Sequence, residues 1–144
     1  MTRRRLLAQL DRVRVEAAIA EAERATTGEI RVSIAGLFWG PSRWLAERAF
    51  RRLGMHQTRD RNGVLLLVLP WRRQLVIRGD EGIDQHVPAG FWQRVVADAA
   101  IQLRAGNLTD GLCGAVAAVG RVLTEQFPAR AGEANPDELP NRIG

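Results

Sequence analysis

The chain has no lysine: all of its 21 basic residues are arginine, set against 16 acidic ones for a formal net charge of +5. Arginine suits bidentate pairing with carboxylate or phosphate better than lysine does. A complete bias of this kind reads as genome composition, since the net charge is modest for a nucleic-acid footprint. Nucleic acid is therefore not an expected partner. A single cysteine, Cys113, excludes an intramolecular disulfide and any cysteine-rich zinc site. It sits in an apolar helical pattern, where a buried structural thiol is the default. His56 and His86 are the only histidines, and neither stands in a His-x-x-x-His or His-x-Asp spacing. There is no nucleophile elbow, no phosphate-binding glycine loop and no Asp-x-Asp dyad. No apolar run approaches the length of a membrane span. Thr2-Arg3-Arg4-Arg5-Leu6-Leu7 looks superficially like an export signal, but Asp11, Arg12, Arg14 and Glu16 interrupt the apolar segment that such a signal needs next. The expected location is cytoplasmic.

What is present suits one α/β domain over residues 1–128, with a disordered tail over 129–144 rich in Pro, Gly, Glu and Asn. Leu6, Leu10, Val13, Ala17 and Ala20 recur at helical spacing, and the helix is expected to end near Thr26. Glu29 to Ala35 alternates as a strand with Ile30, Val32 and Ile34 on its better-covered face. Ser42 is placed to cap a second helix running through Leu53, with Gly54 closing it. Val64–Leu69 and Gln74–Ile77, joined by Pro70-Trp71-Arg72-Arg73, read as an antiparallel hairpin. Pro88 opens a third helix with Phe91, Val95, Ala99 and Leu103 inward, stopped by Gly106. Asn107 or Thr109 caps a fourth that ends at Phe127. Gly111, Gly114 and Gly120 weaken that last helix, which predicts close packing of the sheet or the first helix there.

The first strand, second helix and second strand form a βαβ unit, whose right-handed crossover makes the two strands parallel. The fold class is thus α/β: a small mixed sheet, made of the βαβ unit plus the hairpin, with about four helices on its two faces. This topology gathers Thr26, Thr27 and Glu29 with Asp60–Gly63 and Gly79–Asp84 at one edge of the sheet. There Asp60, Asn62, Asp80, Glu81 and Asp84 are hard oxygen ligands of the kind calcium or magnesium takes. Arg59, Arg61 and Arg78 stand in the same loops and can satisfy the carboxylates as salt bridges. The residues alone leave both readings open. The opposite edge collects Trp39, Trp44, Trp71, Arg43, Arg72 and Arg73, a set able to stack on a base, bind an anion or touch a membrane surface. Trp44 can equally face the core from its helix.

Five blocks in order carry a family resemblance: Gly-Glu-Ile-Arg-Val (28–32), Ala-Phe-Arg-Arg-Leu-Gly-Met (49–55), Asp-Arg-Asn-Gly-Val-Leu-Leu (60–66), Gly-Asp-Glu-Gly-Ile-Asp (79–84) and Phe-Trp (91–92). Their order and spacing resemble the TPM domain family, from about Arg14 to Phe127. The resemblance implies a three-layer α/β/α sandwich, calcium at an acidic site in some members, and acid phosphatase activity in a plant member. It favours the metal reading of the acidic edge. It also implies a membrane-associated partner, either another TPM protein or a LemA-like one. Many relatives carry an export signal and a membrane helix, neither of which is expected in this sequence. The expectation is a soluble binding module that holds a calcium-like cation or a protein partner at the acidic edge. A metal-assisted phosphatase using that edge is the alternative.

Overall fold

The computed structural model describes residues 8, 10–36 and 39–129. The expected helix start at Leu6, the loop residues Leu37 and Phe38, and the tail from 130 onward lie outside the described residues. In chain order the elements are α1 (Arg12–Glu23), β1 (Glu29–Ile34), α2 (Ser42–Arg52), β2 (Gly63–Leu69), β3 (Gln74–Gly79), α3 (Glu81–Asp84), α4 (Phe91–Arg104) and α5 (Leu108–Gln126). Short 3₁₀ turns at Met55–Gln57 and Pro70–Arg72 precede β2 and join β2 to β3.

The three strands lie in sequence order. β1 pairs parallel with β2, Glu29 opposite Gly63, and β2 pairs antiparallel with β3, Val64 opposite Gly79. Glu29, Gly63 and Gly79 therefore share one end of the sheet, as the βαβ-plus-hairpin reading requires. β2 is buried along its whole length, which explains its unbroken apolar run. Its Val64, Leu66 and Val68 join a core with α1, α4 and α5, while Leu65, Leu67 and Leu69 join a second core under α2. The sheet is thus covered by three long helices on one side and by one on the other.

Several local expectations are corrected. On α1, Val13 is 77% exposed and Ala17 and Ala20 face solvent, while Val15 and Ile19 are fully buried. Alanines on several sides of α1 allow two stripes. Val15, Ala18, Ile19 and Ala22 fit the i, i+3, i+4, i+7 spacing better, and the Asp11 cap starts the helix to suit them. Ser42 caps nothing: the N-cap of α2 is Pro41, and the Ser42 hydroxyl bonds across to the hairpin. Neither Asn107 nor Thr109 caps α5 by its side chain; Thr109 accepts instead from the backbone N–H of Asp11 at 3.0 Å. The close packing expected of α5 holds at Gly120, where an added Cβ would come within 2.6 Å of Ala22 on α1. At Gly111 the neighbour is α4, and at Gly114 there is open space.

Candidate functional site

The acidic edge is built by two loops that meet where β2 begins and β3 ends. Asp80 leaves β3 in extended conformation and caps α3, its Oδ1 accepting from the Glu81 N–H at 2.8 Å. Its carboxylate is fully buried. Arg61, in left-handed conformation at φ 51°, turns its guanidinium onto Asp80 as a fork. Nε donates to Oδ2 at 2.7 Å and Nη2 to Oδ1 at 2.9 Å. The Arg61 Nη1 stands 3.2 Å from Glu81 Oε1. The hydrogen bonds to Asp80 hold the Arg61 pKa above its ordinary value. Gly82 lies under this loop so closely that any Cβ would collide with the carbonyl oxygens of Asp60 and Arg61. Only glycine fits there.

Beside this pair, the Thr27 hydroxyl donates to Asp60 Oδ2 at 3.3 Å and accepts from the Asn62 side chain at 3.1 Å. Asn62 is buried and Asp60 half-buried. Asp84 is exposed, and its Oδ1 accepts from the Trp92 indole N–H at 2.9 Å. The ring of Trp92 lies against Gly79, where a Cβ would come within 2.7 Å of it. A cavity of 490 Å³ opens here between α2, β3 and α3, reaching Glu81, Asp84 and Trp92. The structure therefore brings Asp60, Asn62, Asp80, Glu81 and Asp84 to one edge, but each of their carboxylates already accepts from, or pairs with, a protein group. Among the described residues, no three His, Cys, Asp or Glu side chains stand close enough to share an ion.

Of the three arginines expected to neutralise these loops, Arg61 does so. Arg78 does not: it faces α2, where Nε donates to Glu47 Oε2 at 2.6 Å and the guanidinium lies 4.5 Å from the Phe50 ring. Arg78 holds the Glu47 carboxyl below its ordinary pKa, chiefly through that hydrogen bond. Strand alternation signals this, because Val76 and Arg78 share the face opposite Leu75 and Ile77. Sequence reasoning missed Trp92 as a partner of the edge, and α3 itself. An aspartate followed by Glu-Gly-Ile-Asp is the N-cap signal that points to α3.

The other groups of chemical interest are held elsewhere. His86 is exposed and packs edge-on against Phe127, their ring centroids 5.9 Å apart. His56 Nδ1 is buried with no hydrogen-bond partner among the described residues. Cys113 is half-buried, and burial pushes its thiol pKa up, which suits a structural thiol.

At the opposite edge, Arg72 ties the loop before α2 to the hairpin turn. It donates to the Gly40 carbonyl at 2.6 Å and to Ser42 Oγ at 2.9 Å, and Ser42 in turn donates to the Gln74 side-chain oxygen at 2.7 Å. Trp71 packs onto the core under α2. Trp39 and Trp44 do not: they are 94% and 52% exposed. The Arg48 guanidinium lies 5.5 Å from the Trp44 ring. Among the described residues, no helix is long and apolar enough to cross a membrane.

No curated protein matches this chain. Among solved structures, the BA42 protein from the psychrophilic bacterium Bizionia argentinensis is similar, at 33% identity and a TM-score of 0.84 over 92% of this chain and 90% of that one. The N-terminal domain of a protein from P. gingivalis shares the fold at 23% identity and a TM-score of 0.65, over 77% of this chain and 72% of that one. So does the N-terminal domain of a Corynebacterium glutamicum protein, at 16% identity and a TM-score of 0.59, over 84% and 74%. The family model for the TPM domain matches residues 2–122. With that match and the BA42 likeness spanning most of the chain, this protein belongs to the TPM domain family.

Proposed function

We propose that this TPM-type module binds a divalent cation of the calcium type at the acidic edge, in competition with Arg61. The observation that carries the reading is the Arg61 fork on Asp80. A guanidinium there neutralises a fully buried carboxylate and reaches a second one on Glu81. A cation at that point would do the same work with oxygen ligands from Asp80 and Glu81, joined by Asp60 from the facing loop. Arg61 is 41% exposed along its side chain, so it can swing out into water when displaced. Displacement costs part of the binding energy, and the expected dissociation constant is weak, about 10⁻⁴–10⁻³ M.

Binding to the native state alone raises stability by mass action, by about 1.4 kcal/mol at a tenfold excess over the dissociation constant. The test is a set of thermal melts with EDTA and with millimolar calcium on the wild type, Arg61→Asn and Asp80→Asn. Asparagine tolerates the left-handed backbone of residue 61, so that substitution removes the guanidinium without straining the loop. Calcium is expected to raise the melting temperature of the wild type, to raise that of Arg61→Asn more, and to leave Asp80→Asn unmoved. An unmoved wild type together with an unmoved Arg61→Asn would sink the cation reading and leave a structural ion pair.

A further inference from the structure

The outward face of α2, together with the loop before it, has the makings of a contact surface, and its Arg43 also lines the cavity that reaches Glu81 and Asp84. Trp39 is 94% exposed and Trp44 52%, and these two are the most exposed aromatic side chains among the described residues. A soluble surface gains nothing by leaving an indole in water, and contiguous exposed apolar groups mark a place where something else is contacted. Arg43 and Arg48 flank Trp44 on α2, Arg51 and Arg52 follow at the far end of that helix, and Arg73 stands on the hairpin turn, all of them exposed. Glu47 is the only carboxylate on that helix, and it is taken by Arg78 and Arg51. Among the described residues, no carboxylate pairs with Arg43, Arg52 or Arg73. The face is therefore cationic and aromatic together.

Its shape matters as well. α2 alone covers its side of the sheet, so its outer surface is a ridge. Arg72 pins the loop at Gly40 and Ser42, which fixes the tryptophan-bearing end against the hairpin. Gly40 sits beside the Trp44 ring, where an added Cβ would be in ordinary contact at 3.4 Å, and its φ of 123° is what favours glycine. Indoles at the end of a cationic ridge suit a flat anionic surface, where the rings enter the headgroup boundary and the guanidiniums meet phosphate and carboxylate. A single nucleic-acid strand needs a groove that tracks its backbone, and a ridge is a poorer match.

We infer that this face docks onto an anionic lipid bilayer, peripherally, with Trp39 and Trp44 as the inserting groups and the α2 arginines as the electrostatic contact. This docking needs no cation at the acidic edge, although Arg43 lines the cavity that reaches Glu81 and Asp84. The test is co-sedimentation of the full chain with vesicles of phosphatidylcholine alone and of phosphatidylcholine with phosphatidylserine, in EDTA. Binding is expected only with phosphatidylserine and is expected to fall steeply between about 0.05 and 0.5 M salt. Arg43→Gln should weaken it about fivefold, the effect of one basic residue near such a surface. Trp39→Ala, at a side chain that touches almost nothing, should weaken it about tenfold by removing an inserting indole. Ile101→Ala, a 64% exposed apolar residue on α4 across the sheet, serves as the control and should bind like the wild type. Equal binding to both vesicle types, no binding to either, or equal losses for Trp39→Ala and Ile101→Ala would each overturn the inference. So would tighter retention by a single-stranded oligonucleotide than by the anionic vesicles, which would assign the face to nucleic acid.

Discussion

Asp80 and Arg61 show how unequal the two halves of one ion pair can be. Asp80 is fully buried, whereas the Arg61 side chain is 41% exposed. Removing Asp80 leaves a guanidinium that water can reach; removing Arg61 leaves a buried carboxylate with little beyond the Glu81 N–H. Charge-assisted bonds are roughly twice as strong as neutral ones, and an uncompensated buried charge is the larger penalty. In EDTA, Asp80→Asn should therefore cost about 1–3 kcal/mol, because asparagine still accepts from Glu81 and Arg61. Arg61→Asn should cost more, because it leaves the buried Asp80 carboxylate uncompensated. Urea unfolding of the two variants is the check, and a reversal of their order would mean that Asp80 does not depend on the guanidinium. The sequence placed both residues at one edge but could not choose among Arg59, Arg61 and Arg78. That choice rests on a left-handed backbone at Arg61, which no residue type at that position announces.

At the scale of elements, the strands were legible because β2 is apolar without interruption and β1 alternates. The helices were less so. On α1 the alanines blur the stripe, and only packing against α5 decides that Val15 and Ile19 go inward. On α5 the glycines did announce close approach, and their different surroundings make a paired test. Gly120 sits over Ala22, where a methyl would come within 2.6 Å of the Ala22 Cβ, and a backbone-level contact of that kind cannot give easily. Gly120→Ala should destabilise by about 1–3 kcal/mol from overpacking, outweighing its gain in helix propensity. Gly114 has nothing within 4 Å of an added Cβ. Gly114→Ala should therefore stabilise by up to about 1 kcal/mol, the plain propensity difference. Melting temperatures moving the same way in both variants would show that α1 is free to back away from α5.

For the whole molecule, the acidic loops stand at one end of the small sheet, and the arginines of α2 run along one of its faces towards that end. α2 and the hairpin turn carry arginines faced by a single carboxylate on that helix, while the acidic side chains gather where β2 starts and β3 ends. Such a distribution orients a domain against a surface or a partner and asks little of chemistry. The groups with the chemistry to attack a phosphate ester are poorly set for it: burial raises the Cys113 thiol pKa, the His56 Nδ1 is buried, His86 leans on Phe127, and Asp80 is held by three donors. A bound cation could still polarise a phosphoryl oxygen and activate water, so the enzyme reading makes a separate claim. The expected result is hydrolysis of a generic phosphate ester at background rate, with calcium or magnesium present. The informative control is the Asp80→Asn, Asp84→Asn double variant, its fold checked by circular dichroism. Turnover in the wild type that vanishes in the folded double variant would make the acidic edge a catalytic site, and the binding-module reading would give way to a metal-assisted phosphatase.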